Sequence, residues 1–234
     1  MACDITNRDQ IKSLVDNISQ QEPNGIHLLV NNAGVAREDA TKYSNSKPDM
    51  TNPDSISEHM LKSEWSAWQD TLNTNVTAHF FFTAHVLPLL GKGRSSIKGY
   101  TPSVVNITSI SGLMKGSSGG QFAYGSSKAA MIHLTRMMAS TFSEAKIRVN
   151  TIAPGLFPSE MTAGPSNENN KSELKEQGSN PAGRPGHDTD MAACILFLAG
   201  PGGVFLNGQI IHPDGGKWSV FSLGLWDLET RYGV

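Results

Sequence analysis

The 234-residue chain has no long hydrophobic run. Its apolar stretches fall well short of the roughly 20 residues that cross a bilayer, which excludes an ordinary transmembrane helix. The first residues carry no basic stretch ahead of an apolar core, so no secretory signal is expected and the expected location is cytoplasmic. Cysteine is scarce: Cys3 and Cys194 form neither a C-x-x-C pair nor a metal spacing, and read as two reduced, buried thiols rather than a disulfide framework. The seven histidines make no i,i+4 pair and no cluster with carboxylates, so no metal is expected. Charge is nearly balanced, 19 Lys and Arg against 21 Asp and Glu for a net −2, which removes the electrostatic case for nucleic acid or an anionic membrane.

What is present suits a globular protein, with 38% hydrophobic and 17% charged residues. One domain over 1–217 and a tail at 218–234 are expected. Strand-like and helix-like segments alternate. Thr6 is a candidate cap for a helix over 8–20, and "IHLLVNNAG" (26–34) reads as a buried strand ending in a turn. The polar stretch 36–62 reads as a loop with short helical turns, and 63–90 as one long apolar helix. "SVVNITS" (103–109) and "IRVNTIAPG" (147–155) read as strands flanking a long helix over 121–142. The stretch 156–187 is polar and rich in Gly and Pro, and is expected to form a lid over the site. A helix over 188–200, capped by Asp188 or Asp190 and stopped by Gly200-Pro201, precedes a last strand over 208–216.

Strands apolar on both sides and alternating with helices predict an α/β fold, a doubly wound parallel sheet of Rossmann type. Ligands bind such sheets beyond the carboxyl ends of the strands. The "NNAG", "TSISG" and "APG" segments all fall there.

Tyr124 and Lys128 stand one helical turn apart on a shared face. An ammonium beside a phenol favours the ionised form, which predicts a lowered Tyr124 pKa and a group able to pass a proton either way. Such a pair also arises by chance. Ser109, at the end of an apolar strand, is placed to donate to a carbonyl oxygen that gains charge, although a serine there is commonly a turn former. Asn75 sits in an apolar helix and needs partners, as any core asparagine does.

Six segments, in order, resemble the short-chain dehydrogenase/reductase family: "NNAG" (31–34), Asn75 in "NTNV", Ser109 in "NITSISG", "YGSSK" (124–128), "RVNTIAPG" (148–155) and "PDGG" (213–216). The stretches "APGLFPSEMT" and "GRPGHDTDMAACILFLAG" resemble its fungal, secondary-metabolism-type members. The resemblance implies an NADP-dependent oxidoreductase (NAD is the alternative) that moves a hydride between the nicotinamide and a carbonyl or secondary alcohol. It implies Tyr124 as general acid/base and Lys128 as the residue that tunes it and holds the nicotinamide ribose. Ser109 would be the donor to the substrate carbonyl, and Asn75 the support of a proton relay to Lys128. Cofactor contacts are implied at Asp4 and Asn32 on the adenosine side, and at Phe157 and Ser159 on the nicotinamide carboxamide. The segments 63–90 and 121–142 would build a homodimer or homotetramer.

One family feature is not found. No G-x-G-x-x-G turn can be drawn after a strand, because "GLMKGSSGG" (112–120) lacks the spacing and "GPGGVFLNG" (200–208) follows a helix and has Phe205 at its sixth position. "ACDIT" resembles the end of the family's third strand. An N-terminally shortened domain, with an unpaired edge at "HLLVNN", is therefore expected. A second reading follows from it: a catalytically silent remnant that at most associates with homologues.

Overall fold

The computed structural model describes residues 1–163, 167, 168, 172, 174 and 180–217. Helix α1 (Arg8–Gln21) leads to strand β1 (Leu28–Asn31), then α2 (Pro53–Met60) and α3 (Trp65–Leu72). A π-helical turn (Asn73–Thr77) joins α3 to α4 (Ala78–Ser96), and β2 (Ser103–Ile107) follows. After a 3₁₀ turn (Ile110–Gly112) come α5 (Phe122–Thr141), β3 (Arg148–Ile152), the short α6 (Glu160–Ala163), α7 (Asp188–Ala199) and β4 (Ile210–Ile211). The strands form a parallel sheet in the order β1-β2-β3-β4, so all four carboxyl ends meet at one edge.

Alternation along the strands builds two cores. Leu29, Val104 and Val149 point to one face and pack on Val86 and Leu90 of α4 and Met131 and Met138 of α5. Val105 and Ile152 point to the other, onto Leu198 of α7. Burying a side chain of this size contributes about 1.5–3 kcal/mol, so helices are held on both faces. The doubly wound arrangement expected from the sequence is present.

Several local expectations are revised. The cap of α1 is Asn7, whose Oδ1 accepts from the backbone of Asp9 and Gln10, while the Thr6 hydroxyl donates to Asp4. The cap of α7 is His187, with the Asp190 carboxylate returning a bond to the His187 N–H. The long helix expected over 63–90 is interrupted by the π turn. The last strand pairs only at Ile210 and Ile211. Cys3 and Cys194 are free and half-buried rather than buried. The tail 218–234 and much of the expected lid lie outside the described residues.

Among the described residues no helix is long and apolar enough to cross a membrane, and no group of His, Cys, Asp and Glu is arranged to hold a metal.

Candidate functional site

The carboxyl edge of the sheet is knitted together before any reactive group is placed on it. The Ile110 N–H donates to the Pro154 carbonyl beyond β3, and the Gly155 N–H donates to Pro213 beyond β4. A buried polar ladder lies beneath. Asn31 Nδ2 donates to Thr83 of α4 and to Asn106 of β2, and Asn106 Nδ2 donates to Thr135 of α5, each at 2.8–2.9 Å. These bonds fix α4 and α5 against the strands in one register.

Ser109 leaves β2 in an extended conformation, and its hydroxyl accepts from the Ser111 N–H as the 3₁₀ turn begins. That turn lies directly on α5. A Cβ added to Gly112 would come within 2.6 Å of the Ala129 nitrogen and the Lys128 carbonyl carbon, so only glycine permits the approach. The Ser109 hydroxyl is thereby brought close enough to the Tyr124 phenol to influence its ionisation.

Burial pushes the Tyr124 phenol above its ordinary value, and the nearby Ser109 hydroxyl opposes the rise. The lowered pKa expected from the neighbouring lysine is not what this geometry produces. The Lys128 ammonium lies 5.7 Å from the Tyr124 ring centroid and donates instead to the Ile107 carbonyl at 3.1 Å. Lys128 is 5% exposed, and burial brings it down to about 8.

Asn75 is 1% exposed and comes from the π turn, whose wider winding carries it inward. Its amide bonds both backbone groups of Val35 and donates to Ser127 Oγ at 2.9 Å. Ser127 Oγ in turn donates to the Tyr124 carbonyl. Asn75 Oδ1 and Lys128 Nζ both border the space in front of Gly34, where a Cβ would lie 3.4 and 3.2 Å from them. The structure therefore brings Asn75, Ser109, Tyr124 and Lys128 together.

The expected cofactor contacts are more dispersed. Asn32 is exposed at the end of β1. Asp4 is exposed and occupied by its own turn, accepting from both the backbone and the hydroxyl of Thr6. Phe157 lines a cavity of about 150 Å³ with Arg184, Gly186, Asp190 and Asp214. The Ser159 hydroxyl is bonded to Thr162 at 2.9 Å where α6 begins.

Two residues at the site carry no sequence signal. His79 is buried on α4 and donates from Nε2 to the Ala33 carbonyl at 2.7 Å, while its buried Nδ1 has no partner among the described residues. Burial holds His79 below the usual imidazole range, helped by the Lys128 charge and opposed by the Ala33 bond. Glu38 is buried from within the polar stretch 36–62 and accepts from the Tyr124 N–H.

Comparison with known proteins places this geometry in context. Residues 1–217 match the family described as enoyl-(acyl carrier protein) reductase. The chain is 36% identical over 219 residues to the fungal short-chain dehydrogenase/reductase PhomF′ of Diaporthe leptostromiformis, covering 93% of this chain and 73% of the relative. It is 30% identical to the 3-oxoacyl-[acyl-carrier-protein] reductase FabG of Vibrio cholerae, covering 94% and 78%. The solved structure of the Pseudomonas aeruginosa RhlG/NADP active-site complex superposes with a TM-score of 0.72 at 30% identity, covering 92% and 75%. Fold and relatives agree on an oxidoreductase of the Rossmann-like α/β class. Within that class, the chain belongs to the short-chain dehydrogenase/reductase family.

Proposed function

We propose that the chain reduces a carbonyl to a secondary alcohol, or runs the reverse reaction, with NADP as its cofactor. The observation that carries this reading is the convergence of Ser109, Tyr124 and the buried Lys128 ammonium beyond the sheet's carboxyl edge, with Asn75 and Lys128 bordering the same space.

The residues present suit the cofactor. An ammonium has three N–H donors, and Lys128 spends one on Ile107, leaving two for ribose hydroxyls. Gly34 keeps the approach to that ammonium open. Phe157 and Ser159 would meet the carboxamide, and Asn32 and Asp4 the adenosine side. NADP rather than NAD is supported by similar structures that contain it, among them RhlG and ElxO. When bound, the nicotinamide supplies or accepts the hydride.

The protein's own groups manage the proton and the oxygen. Ser109 Oγ and Tyr124 Oη act as two donors to the carbonyl oxygen, holding it while negative charge develops. Because burial raises its pKa, Tyr124 is a phenol at neutral pH and carries the proton that reduction requires. Once the product oxygen is protonated, the Ser109 hydroxyl is free to turn to the phenolate left behind. Lys128, at about 8, lies close enough to neutrality to release and regain a proton and so to resupply the tyrosine. Asn75 supports this relay by holding the Val35 loop and, through Ser127, the first turns of α5 around Lys128.

Self-association through α4 and α5 belongs to the same reading, with Phe80 and Met137 exposed on those helices. NADPH titration of the intrinsic tryptophan fluorescence, followed by NADPH oxidation with ketone, aldehyde and 3-oxoacyl thioester probes, tests the proposal. Purified folded protein that neither binds NADPH nor oxidises it with any probe would refute it.

A further inference from the structure

We infer that Glu38 is a positioning residue for Tyr124: its carboxylate, delivered from a distant loop, holds the first turn of α5 and so aims the phenol. The inference rests on the reading of Tyr124 as the acid/base. Helix α5 begins without a side-chain cap of its own, since Gln121 makes no such bond. The N–H groups of its first turn have no partner inside the helix. One of them, the Tyr124 N–H, donates to Glu38 Oε2 at 2.9 Å across 86 residues of sequence. Glu38 is 2% exposed, and its other oxygen has no partner among the described residues, so the carboxylate is committed to that single bond. An acceptor oxygen suits a helix N-terminus, whose outward-pointing N–H groups need one, and Glu38 supplies it.

The segment carrying Glu38 is itself fastened to the chain leading into α5. Thr41 Oγ1 donates to the Gly120 carbonyl at 2.8 Å, and the Tyr43 N–H donates to the Gly119 carbonyl at 2.8 Å. Gly120 has φ +90°, and a Cβ there would strike the Thr41 carbonyl oxygen. Residues 38–43 thus form a strap over 119–124, and Glu38 is the point at which it reaches the reactive residue.

The test compares wild type, Glu38→Gln and Glu38→Ala, each labelled with ¹⁵N-tyrosine, the Tyr124 amide being identified by its loss in Tyr124→Phe. Glutamine keeps an acceptor for the Tyr124 N–H and alanine does not. Hydrogen exchange at the Tyr124 amide is expected to quicken about tenfold or more in Glu38→Ala and to stay near wild type in Glu38→Gln. In the same samples kcat falls about tenfold or more in Glu38→Ala while KM for NADPH holds within about twofold, and Glu38→Gln recovers most of the loss. Active wild type with an unchanged Tyr124 amide and unchanged kcat in Glu38→Ala overturns this inference alone. Equal losses in both variants, with KM rising in step, also overturn it. Wild type that binds NADPH but reduces nothing overturns both this inference and the proposed function.

Discussion

The side chain of Asn75 pairs with the backbone of Val35 as a neighbouring strand would: the Val35 N–H donates to Asn75 Oδ1 at 2.8 Å, and Asn75 Nδ2 donates to the Val35 carbonyl at 2.9 Å. A buried amide thereby substitutes for main-chain pairing where the loop after β1 turns over the site. Replacing Asn75 with leucine leaves both Val35 groups and Ser127 Oγ without that partner. At about 1 kcal/mol per lost bond, plus the cost of burying unpaired groups, Asn75→Leu should lose about 2–4 kcal/mol of stability, read by urea denaturation.

Gly112 sets the distance between the Ser109 turn and α5. Gly112→Ala forces the two backbones apart, because the clash is with main-chain atoms that cannot rotate away. Turnover should fall by about tenfold or more through the displaced Ser109 donor, with NADPH affinity little changed, measured by steady-state kinetics beside a binding titration.

Burial takes Lys128 from its ordinary 10.5 down to about 8. Between those values the unfolded chain holds a proton that the folded protein has released, so stability from this group rises with pH across that window. Lys128→Met removes the effect. Wild type should gain about 3 kcal/mol relative to the variant between neutral pH and pH near 10.5, at about 1.4 kcal/mol per pKa unit, followed by urea denaturation at each pH.

His79 titrates in the opposite range. Its pKa lies below the ordinary 6.5, chiefly through burial, so as pH falls through 6.5 the unfolded chain takes up a proton that the folded protein refuses. Stability is therefore lost toward acid. His79→Gln, which can still donate to the Ala33 carbonyl, should flatten that acid limb, visible as a smaller fall in melting temperature below pH 6.5.

The sequence exposes the frame of the molecule because strands buried on both faces must read as apolar runs, as in "SVVNI" and "RVNTI". The catalytic candidates are legible for a related reason: Ser109 ends one of those runs, and Tyr124 and Lys128 share a helical face. What stays hidden depends on contacts between distant segments or on subtle winding. The π turn at Asn73–Thr77 interrupts a stretch whose hydrophobicity does not change, so periodicity cannot signal it. Glu38 sits in a polar stretch that resembles any surface loop, and only the fold carries it to Tyr124. Spacing alone predicted that Lys128 would lower the Tyr124 pKa, whereas burial, which spacing cannot report, raises it.

The central claim is that the Tyr124 hydroxyl hands its proton to a carbonyl oxygen held with Ser109. The most direct measurement compares NADPH-dependent reduction by wild type and Tyr124→Phe, with NADPH affinity and melting temperature recorded for both. The expected result is a fall in kcat of about 10²–10⁴-fold with cofactor binding and fold unchanged, since only the proton-carrying oxygen is removed. Equal turnover by the two proteins would contradict the account.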